Sequence, residues 1–428
     1  MAEILQKEIL PRVSLTAVHT DKFKSSYMSV QFLATLSEKD VALNALVPMV
    51  LRRGTEKYPD MERLSAALDD LYGGTIEPAI RKKGDKQCVG FVASFLDDAY
   101  TPDGSTILEK AAELLGELLL HPATAPKGGF LSTYVEGERS NLVDRIRAQI
   151  NDKRQYAKER LLSLMTGEPD RLGDEQSAAA ITEEALWKGY QNLFTAPIHI
   201  YYSGSAPFER VEEAFRHALS DLPQIDIGAA SQTDVLEAPA AEIAAKKHEE
   251  AMDVTQGKLG LGFVCGVRLT DSDYPAMQIL NALYGATTTS KLFLNVRERL
   301  SLCYYASSQY DKFKGLILVS SGVEFEKRTE AQDEILAQLE NCRQGKIESW
   351  ELEAAKRSAV SATLTMLDSQ SRQEDFWLGQ AVLPGDDPET LAGRYEAVAM
   401  DDVVAAAQKV KLHTTYFLKG KGGTTVGQ

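Results

Sequence analysis

Cysteine and histidine are scarce in this chain, and long apolar runs are missing. The four cysteines (Cys88, Cys265, Cys303, Cys342) stand far apart with no Cys-x-x-Cys pair, a pattern that speaks against a disulfide framework. The six histidines (His19, His121, His199, His217, His248, His413) come no closer than 18 positions. No two can therefore sit on adjacent turns of one helix, and a local histidine-based zinc site is absent. No stretch approaches the roughly 20 apolar residues of a spanning helix. The opening MAEILQKEIL lacks the basic, apolar and small-residue regions of a secretory signal. These absences together predict a cytoplasmic protein without a membrane span.

The charge is lopsided. Lys and Arg number 47 against 62 Asp and Glu, a net −15 with a pI near 5.0. An acidic surface of that kind argues against a nucleic-acid binder, whose affinity comes from neutralising phosphates with Lys and Arg. Hydrophobic residues at 44% and charged residues at 25% give the balance of a globular protein, and 428 residues exceed one ordinary core.

Periodicity gives the organisation. Ser26–Leu36 alternates apolar and polar side chains as a half-buried strand does. Helical patterns follow over Asp40–Arg53 and Met61–Leu71, the latter stopped by Gly73–Gly74. Gln87–Leu96 and Ile198–Ser205 read as strands, and Ser105–Leu120, Phe130–Met165 and Pro207–Leu219 as helices. Around Leu222–Glu250 periodicity fades into scattered Ala, Pro and charge, which marks a linker.

Beyond the linker the order repeats. A strand (Lys258–Val267) is followed by a helix (Tyr274–Gly285), an amphipathic helix (Leu292–Leu300), two strands and the long helices Glu326–Gln344 and Ser349–Leu367. Gly54 and Gly285, each closing the first helix of its half, lie 231 residues apart. The expected fold is α+β, with two tandem homologous domains over 1–225 and 251–428 joined by 226–250. Trp187, Trp350 and Trp377 fall in helical patterns and read as packing anchors, and the glycines from Gly420 as a frayed end.

Two stretches carry a family resemblance. RRGTEKYP (Arg52–Pro59) in the first half and SKLFLNVRERLSLCYYASS (Ser290–Ser308) in the second are similar to segments of the pitrilysin/insulinase family of zinc metallopeptidases, which includes the mitochondrial processing peptidases. The first matches the segment just after that family's His-x-x-Glu-His motif, whose histidines hold zinc while the glutamate serves as general base. Counting back from Gly54, the motif positions hold Ala45, Pro48 and Met49, none a zinc ligand or a base. The family's distal acidic ligand falls near ERSNLVDRI, at Asp144. Pro48 removes a backbone donor and is expected to kink the helix.

In the second half the resemblance places Arg297 and Tyr304, seven apart, as donors toward substrate and the developing oxyanion. Tyr305 competes for the tyrosine role, since one step of register exchanges the two. What the resemblance implies is half an enzyme: a subunit without a metal or other cofactor of its own, inactive alone, that supplies Arg297 and Tyr304 to a zinc-bearing paralogous partner acting on a peptide substrate. Two alternatives accompany it. One is a catalytically inactive peptide-binding or scaffold protein acting without such a partner, for example as a homodimer. The other is a hydrolase built on a different metal constellation. Small residues on the second-half strands suit a sheet edge that accepts an extended peptide by strand addition.

Overall fold

A computed structural model of the chain describes residues 3–224 and 245–421. The first half lays down strands β1 (Glu3–Leu10), β2 (Val13–His19) and β3 (Ser25–Thr35), helices α1 (Val41–Leu51) and α2 (Met61–Asp69), and strands β4 (Thr75–Lys83) and β5 (Lys86–Leu96). Helices α3 (Leu108–Leu120), α4 (Ser132–Ala148), α5 (Lys153–Thr166), α6 (Glu175–Ala179) and α7 (Glu183–Leu193) follow, then β6 (Ile198–Gly204) and α8 (Phe208–Ala218). The second half gives β7 (Lys246–Met252), β8 (Gly257–Val264), α9 (Tyr274–Asn281), β9 (Cys303–Asp311) and β10 (Leu316–Val323). It ends with α10 (Arg328–Arg343), α11 (Ser349–Met366), α12 (Gln370–Val382), α13 (Pro388–Glu396), α14 (Met400–Lys409) and β11 (Lys411–Gly420).

The strands form two sheets with the same topology. The first runs β1-β2-β6-β3-β5-β4 and the second β7-β11-β8-β10-β9. Position by position, β2 matches β7, β6 matches β11, β3 matches β8, β5 matches β10 and β4 matches β9. The parallel pair recurs as well: β2 lies parallel to β6, and β7 parallel to β11, while the remaining neighbours are antiparallel. The fold is α+β with the duplicated unit expected from the sequence, and β1 is the one strand without a counterpart.

Two compact units result. One holds residues 3–147, 169–224 and Ser369–Val382; the other holds Ala148–Glu168, 245–368 and 383–421. Against a contiguous division at 226–250, each unit thus contains one helix from the other's stretch of sequence: α12 in the first and α5 in the second. The single long helix expected over Phe130–Met165 is interrupted to allow this. A short turn at Gln149–Asn151 separates α4 from α5, and the Asp152 carboxylate caps α5 by accepting from the backbone N–H groups of Arg154 and Gln155. Residues 226–244 of the expected linker lie outside the described residues, and Lys246–Glu250 belong to β7 rather than to a linker.

In the first unit, one sheet face packs Met28, Val30 and Phe32 into the main core with α1 and α3. The other face carries α12, whose Trp377 and Leu378 bury against Val18, Tyr201, Leu33 and Cys88. The Gln370 side-chain amide donates to the carbonyls of Ser25 and Ser203, and Arg81 holds Glu374 in a two-point ion pair at 2.5 and 2.6 Å. In the second unit, α5 does the same work. Leu161 and Met165 lie over Gly260 and Gly262 in a cluster with Leu316, Leu318, Tyr416 and Leu418. Trp187 stacks on Phe130 and Tyr190 as a packing anchor, and Trp377 is buried, but Trp350 is 51% exposed and anchors nothing. Gly420 closes β11, and residues beyond 421 lie outside the described residues. Among the described residues, no helix is long and apolar enough to cross a membrane.

Candidate functional site

Helix α1 reads VALNALVPMVL, apolar on nearly every side, and all of it but Leu43 is buried. Ala45, Pro48 and Met49 occupy one stretch of this helix as core residues. With Pro48 inside it the helix runs on to Leu51, and the Arg52 N–H bonds to the Pro48 carbonyl. Proline at this place forfeits one intrahelical bond, and packing on all sides compensates.

The RRGTEKYP segment then folds as a tight turn. The Thr55 N–H donates to the Tyr58 carbonyl at 2.7 Å, and the Tyr58 N–H to the Thr55 hydroxyl at 2.9 Å. A Cβ at Gly54 would meet the Pro59 carbonyl oxygen at 2.5 Å, so only glycine fits there. Beyond α1, Arg53 forms an ion pair with Glu138 of α4 at 3.2 Å and lies over the Tyr134 ring. Glu138 is the buried carboxylate of α4; Asp144 is exposed and pairs with Arg147 one turn on. Sequence reading missed Glu138, although it lies in the same ERSNLV stretch.

These residues do not fit a zinc ion. Ala45, Pro48 and Met49 offer no imidazole or carboxylate, and the one buried carboxylate nearby is engaged by a guanidinium. Among the described residues, no three His, Cys, Asp or Glu side chains gather as a metal-binding group. Folding does bring two histidines to one cleft of about 790 Å³ beside α2, α3 and α8: His121 lies 3.3 Å from Asp221, and His217 3.9 Å from Glu113.

In the second unit, the stretch bearing Arg297 is a wide, π-wound helix over Leu292–Arg299. Its start is fixed by a buried ion pair in which the Lys291 ammonium donates to both oxygens of Glu351, at 2.9 and 2.8 Å. Ser301, with φ of +48°, turns the chain out of the helix, and Cys303 opens β9. The helix therefore ends before Tyr304. Arg297 and Tyr304 belong to different elements rather than to one helical face, and no hydrogen bond or ring contact joins them among the described residues.

Arg297 is held beside Glu298 at 3.3 Å and over the Phe293 ring at 4.7 Å, with its side chain 42% exposed. Tyr304 is 62% exposed near the start of β9, the outermost strand of its sheet.

The two tyrosines sit at a β-bulge: Cys303 pairs with Val323 and Tyr305 with Gly322, and Tyr304 is the extra residue between them. Tyr305 turns to the α5 face, where the Arg154 guanidinium lies 4.1 Å from its ring centroid and the Lys258 ammonium 5.9 Å. Burial raises its phenol above the ordinary value. Tyr304 keeps an accessible hydroxyl beside an unpaired strand edge. Such an edge offers backbone donors and acceptors to an extended chain, and an exposed Arg and Tyr offer donors for a carbonyl oxygen.

A family model described as "Peptidase M16 inactive domain" matches residues 180–359. A Bacillus subtilis (strain 168) protein named "Probable inactive metalloprotease YmfF" is 33% identical over 418 residues, covering 95% of this chain and 96% of that protein. A crystal structure of a conserved protein from Enterococcus faecalis V583 superposes with a TM-score of 0.89 at 25% identity, over 99% of this chain and 100% of that one. A structure of a peptidase M16 inactive domain from Pseudomonas fluorescens shares the fold at 17% identity and a TM-score of 0.76, over 100% of this chain and 99% of that one.

Proposed function

The chain belongs to the peptidase M16 family, the pitrilysin/insulinase-type metallopeptidases, and on that premise we propose that it is a non-catalytic member that handles peptides and cleaves none alone. In this reading, hydrolysis arises only with a zinc-bearing paralogous subunit, to which this chain lends Arg297 and Tyr304. The partner supplies metal and base; this chain supplies donors that orient the peptide and meet the charge on its attacked carbonyl.

The observation that carries the reading is the contrast between the two units. The α1 turn at Ala45, Pro48 and Met49 is buried packing, while Arg297 and Tyr304 remain exposed next to an open strand edge. The setting we propose is the cytoplasm, in keeping with four cysteines that are all free and buried.

The test is reconstitution. The chain alone, a zinc-bearing paralogue alone and their mixture are assayed on a quenched fluorescent peptide. Activity should appear or rise in the mixture, and Arg297→Ala and Tyr304→Phe should each lower it by about a hundredfold or more, the scale of losing one oxyanion donor. A mixture indifferent to both substitutions sinks the shared-site reading and leaves the partner-independent scaffold in its place.

A further inference from the structure

Register assembles a second feature on the α5 face of the second sheet. Lys258 on β8, Gly322 on β10 and Tyr305 on β9 stand directly opposite one another, so they form one row on one face. A Cβ at Gly322 would lie 2.5 Å from the Tyr305 ring and 2.8 Å from Gln256 Oε1. Glycine therefore makes the cradle in which the ring rests. Arg154 from the first turn of α5 covers the ring and donates to the Ser307 hydroxyl at 3.1 Å, while Lys258 donates to Gln256 at 2.5 Å.

These groups border an open cleft of about 700 Å³, lined also by Lys153, Asp253 and Thr255. Neither Arg154 nor Lys258 forms an ion pair among the described residues. Asp152, which also lines the cleft, spends one oxygen on capping α5. Burial, with repulsion from Arg154 next, lowers the Lys258 ammonium below its ordinary value, and Asp152 only partly opposes this. Two cations drawn together in a chain of net charge −15, whose hydrogen bonds go to the neutral side chains of Ser307 and Gln256, form a site that an anion would complete.

We propose that Arg154 and Lys258, braced by Tyr305, bind a carboxylate of a peptide held by the second unit. The groups are other than the Arg297 and Tyr304 pair: the ring under Arg154 is that of Tyr305, while Tyr304 is the extra residue of the β-bulge and is 62% exposed. Arg154 presents a planar fork to the carboxylate and Lys258 a point charge, and the aromatic ring holds both in place. The inference rests on the peptide-handling reading for its ligand, but not on a zinc-bearing partner. The carboxylate has two sources, the peptide's C-terminus or a Glu or Asp side chain.

The test uses the full chain and BODIPY-labelled decapeptides followed by fluorescence anisotropy at low salt. A triglutamate-bearing peptide should bind about tenfold more tightly than its glutamine counterpart, the scale of one charge-assisted contact. Amidating the C-terminus separates the two sources. Arg154→Gln with Lys258→Gln should abolish the preference for either carboxylate and leave the affinity of the neutral, amidated peptide unchanged, while Arg154→Lys should keep part of the preference. Binding by the unmodified chain that is indifferent both to glutamate in place of glutamine and to amidation, or a preference that survives the double substitution, overturns the proposal while peptide handling stands. If no decapeptide binds, peptide handling falls, and Nα-acetyl-triglutamate decides the site separately. It should shift the NMR signal of 13C-methylated Lys258, and an unmoved signal overturns the site.

Discussion

His199 makes a sharp test of how the first unit is built. It lies on β6 with its ring buried, Nδ1 3.1 Å from the Ser14 hydroxyl, Nε2 without a partner among the described residues, and Gln31 opposite it on β3. Burial, with the nearby Arg81 second, lowers its pKa from 6.5 to about 4. The folded chain thus keeps His199 neutral where the unfolded chain already binds a proton. Its contribution is complete above pH 6.5, is lost as pH falls from 6.5 toward 4, and changes no further below that.

A shift of this size corresponds to about 3 kcal/mol, at a slope near 1.4 kcal/mol per pH unit inside the window. Urea unfolding followed by the fluorescence of Trp187 and Trp377, both in the first unit, should be compared for the native chain and His199→Gln at pH 7, 6, 5 and 4. The stability difference between the two proteins should move by about 3 kcal/mol across the series, with the variant gaining on the native chain as pH falls. A difference that stays constant from pH 7 to 4 would refute the reasoning, because it would mean that His199 titrates alike folded and unfolded.

Other outcomes follow from the same packing. Glu374→Gln strips the charge from a buried carboxylate held twice by Arg81, and should cost about 3 kcal/mol by leaving the guanidinium only the more exposed Asp375, at 3.5 Å. Hydrogen exchange should then quicken first in α12, and unchanged protection there would contradict its place in the first unit. Met49→Ala, at a position 3% exposed, should cost about 3 kcal/mol in urea titration. A near-zero cost would mean that the α1 turn is not core.

Much of this architecture was legible in the sequence, and the illegible parts have physical causes. Alternation marked the strand at Ser25–Thr35, the run at Lys86–Leu96 also read as a strand, and the recurrence of elements 231 residues apart reappears as two sheets of matching order. The exchange of α5 and α12 was hidden because periodicity reports an apolar face and not what covers it. Only Asp152, a capping residue inside a helical pattern, marked the break. The helix over Leu292–Arg299 and the strand after it were legible, but the left-handed Ser301 that turns the chain between them is a conformation that side-chain pattern does not announce. Glu138 escaped notice because one carboxylate among several on α4 differs from the rest only in burial. Arg154 and Lys258 are about a hundred residues apart in sequence, and only strand register together with the packing of α5 on the sheet brings them to one ring.

The account turns on whether this chain has a zinc site of its own. Purified chain dialysed against micromolar zinc and then metal-free buffer, analysed for bound metal by mass spectrometry and assayed on a peptide library, tests that directly. Buried Ala45, Pro48 and Met49 predict zinc far below one equivalent and no hydrolysis. One tightly held zinc per chain, together with cleavage by the chain alone, would contradict it.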